Sequence, residues 1–202
     1  MQNENIERFE NILKSIKREG MDDLLEFIRK SDMYKCPAST KYHSACEGGL
    51  LQHSLNVRDC LMAKRDSPTW KEYLRSIDLD SLEIVSLLHD LCKTYFYEVD
   101  YKNQKVYSDE GKKSDEKGKF DWQTIEYYKV NDRIPLGHGS KSVIMIQDFI
   151  KLKPCERYAI LYHMGYSLPR EEHNSLNQAI KLHPLVLALH EADLEATYLL
   201  EK

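Results

Sequence analysis

The chain has 202 residues, enough for roughly one domain with a sizeable core. Its 8 glycines and 6 prolines fall well below the usual combined share of ~12%, which excludes collagen-like and Gly/Pro-rich disordered classes and leans the chain towards helix. A net charge of −4 excludes a general polyanion binder of the histone kind, while leaving room for a local basic groove.

The first twenty residues are polar and mixed in charge, with no apolar stretch of the signal-peptide type. Ile6, Phe9, Ile12, Leu13 and Ile16 fall at 3–4 spacing and predict an amphipathic helix over 4–18. Leu24, Leu25 and Ile28 repeat the pattern over 21–31, with Gly20 as the stop between. Residues 32–47 have no period, and Pro37, Ser39 and Thr40 mark a loop. After Gly48-Gly49, Leu50, Leu51, Leu55, Val57, Leu61 and Met62 give a broad helical stripe. A short helix is expected near 69–77, and Ser81 is the expected cap of a helix over about 82–95. That helix is apolar nearly all round and should be buried.

Residues 96–135 break the helical period. FYEVDY and TIEYYKV alternate and suit two strands. The charged stretch between them reads as a solvated hairpin tip; if it borders a cleft, Lys112, Lys113, Lys117 and Lys119 would guide an anionic substrate. Helices resume at about 138–151, 154–164 and 183–200. No run of ~18 apolar residues occurs, so no membrane contact is expected. Five cysteines, an odd number with no CxxC, point to reduced thiols and a cytoplasmic location. The thirteen tyrosines need partners for their hydroxyls and should sit at core edges or line a cleft.

Several ionisable residues stand where a plain core would not want them. His53 shares a helix face with Leu50 and Val57, and His89-Asp90 interrupts SLLHDLCK. His138 follows a Pro-Leu-Gly turn, His163 ends AILYHM, and Asp193 sits in LVLALHEADLEATYLL. A lone histidine on an apolar face is most often a satisfied core residue, and Asp90 has a simple ion-pair partner in Lys93 at i+3. That pairing leaves five other such settings unexplained. Imidazoles and carboxylates converging from separate helices suit a divalent cation: Mn, Fe, Ni, Co, Zn or, with more oxygen ligands, Mg. On a regular helix His89 and Asp90 would point ~100° apart and could share an ion only over their common edge. His173 lies in the polar REEHNS stretch and should be exposed, His183 precedes Pro184 at a helix start, and His190 either supports the site or simply packs.

The order His53, His89-Asp90, Asp193 resembles the signature of the HD superfamily of metal-dependent phosphohydrolases, over about 43–196. HDLCK is similar to that family's HD-hydrophobic-x-K segment. EGGLLQHSLNV resembles the GGLLEHT-type first motif of HD domains related to bacterial 3′→5′ exoribonucleases. LGHGSKSV and YHMG resemble the two extra histidine motifs of dinuclear members, and DLEA the closing D-x-x-A. The resemblance implies an all-α helical bundle: one HD-type domain over 1–202, with N-terminal helices at 1–35, an HD core at 43–196 and a small β-hairpin insert around 96–130. Only about 45 residues precede the first motif and they read as helices, so the OB-fold module of the exoribonuclease relatives is not expected.

Carried onto this chain, the resemblance implies two divalent ions. His53, His89, Asp90 and Asp193 would bind the first; His138 and His163 would complete the second, with Asp90 bridging. Lys93 would lie near the scissile phosphate, and His43 would touch substrate or support the ligands. A metal-activated water would cleave a phosphoester of a nucleotide or short oligonucleotide, short single-stranded nucleic acid included. The alternatives are a nucleoside polyphosphate anhydride hydrolase and a non-catalytic, metal-containing nucleotide sensor.

Overall fold

The apolar spacing of the N-terminal segment forms α1 (Gln2–Ser15), which buries Phe9 and Leu13. Gly20 turns the chain in a left-handed conformation (φ +84°) into α2 (Met21–Lys30). A side chain there would stand 1.9 Å from the Phe149 carbonyl oxygen, so only glycine fits where this turn meets the later helices. The computed structural model describes residues 2–40 and 44–201, and His43 falls outside them.

The broad stripe becomes α3 (Gly49–Lys64), followed by the short α4 (Lys71–Ser76) and α5 (Leu79–Leu88). Asp78, rather than Ser81, caps α5, its side chain accepting from the Asp80 amide at 3.3 Å. Ser81 lies inside α5 and donates instead to Glu156 Oε1 at 2.7 Å. The helix also stops at Leu88, well short of residue 95, and a 3₁₀ turn takes over at Leu91–Lys93.

The next segment corrects the expectation of an all-α fold. Strands β1 (Tyr97–Tyr107), β2 (Lys113–Asp115) and β3 (Gly118–Val130) form a three-stranded antiparallel sheet in the order β1-β3-β2. Among the described residues the protein is helix-rich but mixed α/β, 56% helix and 14% strand. The β1–β3 register runs from Tyr97 opposite Val130 to Tyr107 opposite Phe120, through residues expected to form a solvated tip. Their charge conceals strands held by cross-strand pairs rather than by a core. Lys105 lies over the Phe120 ring at 4.3 Å and pairs with Asp115 at 2.5 Å. Tyr107 donates to the same carboxylate at 2.9 Å, and Tyr127 to Asp100 at 3.1 Å. Of the sheet residues only Phe120 is buried.

The last third comprises α6 (His138–Gln147), α7 (Pro154–Tyr162), α8 (His173–Leu182) and α9 (Leu185–Glu195), the last running into a π-helical turn at Ala196–Leu200. Helix α8 adds to the helices expected from sequence, because its stripe is thin: Leu176 and Ala179 meet Val186 in a small satellite core. His173 starts this helix and is half-buried rather than exposed in a loop, its Nε2 lying 3.0 Å from the Leu168 carbonyl oxygen. His183 precedes α9 as expected, its ring stacked on Tyr158.

Helix α3 packs on α5 and α9, and α7 packs on α5, α6 and α9. Leu50, Leu55, Leu61, Leu87, Leu88, Ile160 and Leu189 are fully buried between them, each leucine contributing about 1.5–3 kcal/mol by leaving water. Glu156, wholly buried, accepts from Arg18 at 2.6 Å, from Ser81 and from the Lys153 amide at 2.7 Å, which ties α5 and α7 to the α1–α2 turn. The helices that enclose this core also carry the ionisable residues of the candidate ligand set. No helix among the described residues is long and apolar enough to cross a membrane.

Candidate metal centre

His53 projects from the second turn of α3 and is buried. His89 ends α5 in helical geometry, but Asp90 departs from it (φ −104°, ψ 17°). This break brings the His89 Nε2 to 3.6 Å from Asp90 Oδ2, so the two neighbours share one space without the constraint of a regular helix. His138 opens α6, His163 closes α7, and Asp193 comes from α9. All six expected ligands thus meet at one end of the helical core, with Lys93 beside them.

Asp90 organises the cluster. Its Oδ2 lies 3.6 Å from the Nε2 of His53, 3.6 Å from that of His89 and 2.7 Å from Lys93 Nζ. Its Oδ1 lies 2.6 Å from His138 Nε2 and 3.4 Å from His163 Nε2. Each carboxylate oxygen therefore faces its own pair of imidazoles. Asp193 Oδ1 stands 3.2 Å from His53 Nε2, and Asp193 also groups with His89 and His163, their donor atoms all within 4.8 Å of one another. Asp90, Cys92 and His138 form another such group.

The outward nitrogens are all engaged. His89 Nδ1 donates to the Ser86 carbonyl at 2.9 Å and His163 Nδ1 to the Ile160 carbonyl at 2.7 Å. His53 Nδ1 meets Glu201 at 3.1 Å, and His138 Nδ1 meets Cys92 Sγ at 3.1 Å. Bonds of this kind fix the ring and leave Nε2 to bind. The Nε2 atoms of His89 and His163 are buried with no hydrogen-bond partner, their lone pairs turned towards a carboxylate. Such atoms are costly to leave unsatisfied, and a cation bound there would relieve both them and Asp90. The donor set fits a divalent metal ion, and these buried His, Asp and Cys groups could hold one.

The charges agree with that fit. Burial works against the Asp90 carboxylate, but Lys93 and the surrounding imidazoles hold it well below the ordinary range. Burial likewise opposes ionisation of Asp193, and His53 outweighs it. Burial pushes His89 down to about 4. Burial also opposes charge on His53, yet bonds to Asp193 and Glu201 raise it to about 9. Lys93 is raised by Asp90 against the pull of burial.

A cavity of about 500 Å³ opens over the cluster, lined by Asp90, Lys93, His163 and Asp193 together with Leu194 and Tyr198. No residue of the sheet lines it, so the lysine-rich tip does not border this cavity. His190 holds the chain rather than the cluster: its Nδ1 meets the His163 carbonyl at 2.7 Å. Its ring fills the space beside Gly165, where a Cβ would stand 2.4 Å away. Two participants lie beyond the motif residues. Glu201 carries no motif, and only the tertiary fold sets it against His53, Asn56 and Ser44. Cys92 stands between Asp90 and Lys93 in the sequence, where its position beside a candidate ligand is the one signal of its role.

Searches of family models, curated proteins and solved structures find no match to this chain.

Proposed function

We propose that the chain is an HD-type, metal-dependent phosphohydrolase that cleaves a phosphoester of a nucleotide or short oligonucleotide and uses two divalent ions per chain. The observation that carries this reading is the division of Asp90: one oxygen towards His53 and His89, the other towards His138 and His163. A lone structural ion would need only one such pair. His53, His89, Asp90 and Asp193 would hold the first ion, and Asp90, His138 and His163 the second.

Two bound divalent ions supply a nucleophile at neutral pH and stabilise the attacking and leaving oxygens of a phosphoryl displacement. The chain's own part is to orient the ligand nitrogens and to place a cation near the phosphate. Ser86, Ile160, Glu201 and Cys92 fix the four imidazoles from behind. Lys93 lines the cavity with its ammonium on Asp90. There it can shift onto a phosphate oxygen and offset charge that grows in the transition state.

The test is a substrate panel on chelator-stripped protein reconstituted with Mn²⁺: nucleoside monophosphates, a nucleoside triphosphate and dinucleotides. Release of phosphate or nucleoside from the ester substrates, abolished by chelation, is expected. Cleavage confined to the triphosphate anhydride would replace this reading with a polyphosphate hydrolase. Metal and nucleotide binding without any cleavage would replace it with a sensor.

A further inference from the structure

The cavity over the metal centre has a mixed lining. Its lining combines ionisable side chains, Asp90, Lys93 and Asp193 among them, with Met164, Leu194 and Tyr198. A phosphate alone would use the ionisable groups and leave the apolar ones wet. Tyr198 is 72% exposed, and among the described residues its hydroxyl makes no hydrogen bond. Nothing in the core explains an aromatic ring held there.

The backbone that presents the ring is fixed at both ends. Asp193 stands five residues before Tyr198 on α9, bonded to His53. Glu201 stands three residues after it, bonded to His53, Asn56 and Ser44. Between them the chain makes a π-helical turn, closed by Glu201 N donating to the Ala196 carbonyl at 3.1 Å. Such turns re-aim side chains and recur at functional sites. This one keeps Tyr198 on the cavity wall while both flanking carboxylates hold the same histidine.

We infer that Tyr198, with Leu194 and Met164 beside it, is a stacking shelf for a planar aromatic ring attached to the scissile phosphate, so that the site selects base-bearing phosphoesters over base-less ones. The inference rests on the phosphohydrolase reading and deepens it. An exposed tyrosine face stacks on any nucleobase without reading its edge. Selection would therefore be for a base as such, with weak preference among bases.

The experiment titrates Mn²⁺-loaded protein with AMP and with ribose 5-phosphate, and assays phosphate release in the same samples. Affinity is read as Kd, or as KM where release occurs. The wild type should prefer AMP by about tenfold, the order expected of one stacked base. Tyr198→Ala should erase that preference and leave ribose 5-phosphate unchanged, while Tyr198→Phe should retain it. Tyr198 is exposed, so these variants should fold; circular dichroism checks that they do. Equal affinity for the two ligands in the wild type, no binding of either, or equal weakening of both in Tyr198→Ala would each overturn the shelf. A base preference that depends on Tyr198, with no cleavage of AMP or of the dinucleotides, would uphold the shelf and remove the phosphohydrolase reading alone.

Discussion

His53 is the residue on which the cluster's electrostatics turn. In metal-free protein its folded pKa is raised from 6.5 to about 9 by Asp193 and Glu201 against the pull of burial. Its contribution to stability is thus fully present below about 6.5 and is lost as pH rises through about 9. His89 acts in the opposite sense. Burial depresses it to about 4, so the folded state withholds a proton that the unfolded state takes up, and stability is lost as pH falls from 6.5 towards 4. The melting temperature of chelated protein should therefore peak near pH 6.5. Saturating Mn²⁺ displaces the His53 proton, and the decline between pH 6.5 and 9 should disappear. A metal-free melting temperature that climbs steadily through that window would show that His53 is not held protonated. The identities of the six clustered residues are legible in the sequence because ionisable groups in apolar helices demand an explanation. Their supports are not. Glu201 and His53 are 148 positions apart and meet only through the packing of α9 on α3.

At the scale of elements, the approach of α6 to α7 sets the spacing of His138 and His163. The two helices touch at Gly139, where a Cβ would stand 2.2 Å from the Leu161 carbonyl oxygen. Gly139→Ala must push α6 outward by way of its backbone. The expected cost is about 1–3 kcal/mol in chemical denaturation. Bound metal should fall from about two per chain towards one, because His138 moves while His53, His89 and Asp193 do not. Unchanged stability and metal content would mean that α6 does not set the second ligand pair. Helix α5 shows why boundaries are harder to read than elements. The apolar run through Leu91 suggests one long helix, but the chain leaves helical geometry at Asp90, where two candidate ligand side chains face the same space. Helix α8 is hard to read for the opposite reason, since its few apolar residues give little period.

For the whole molecule, the helical core and its order are legible from 3–4 apolar spacing, and the sheet only in part. The segments flanking the insert alternate and read as strands. The residues between them pair across strands through charge and aromatic contacts such as Lys105 with Phe120, Trp122 and Asp115, and carry no buried face to betray a period of two. The sheet is anchored to the helices at its base, where Tyr97 packs on the core and its hydroxyl donates to the Ala38 carbonyl at 3.3 Å. The helical core meanwhile gathers residues from position 53 to position 201 around one carboxylate. That convergence is tested most directly by the metal content and phosphate release of Asp90→Ala beside the wild type, both stripped and reconstituted with Mn²⁺. If Asp90 serves two ions, the wild type should hold about two per chain, and the variant should lose most of that metal and all detectable turnover. Near-normal metal and phosphate release in Asp90→Ala would contradict the account, leaving Asp90 as no more than the ion-pair partner of Lys93.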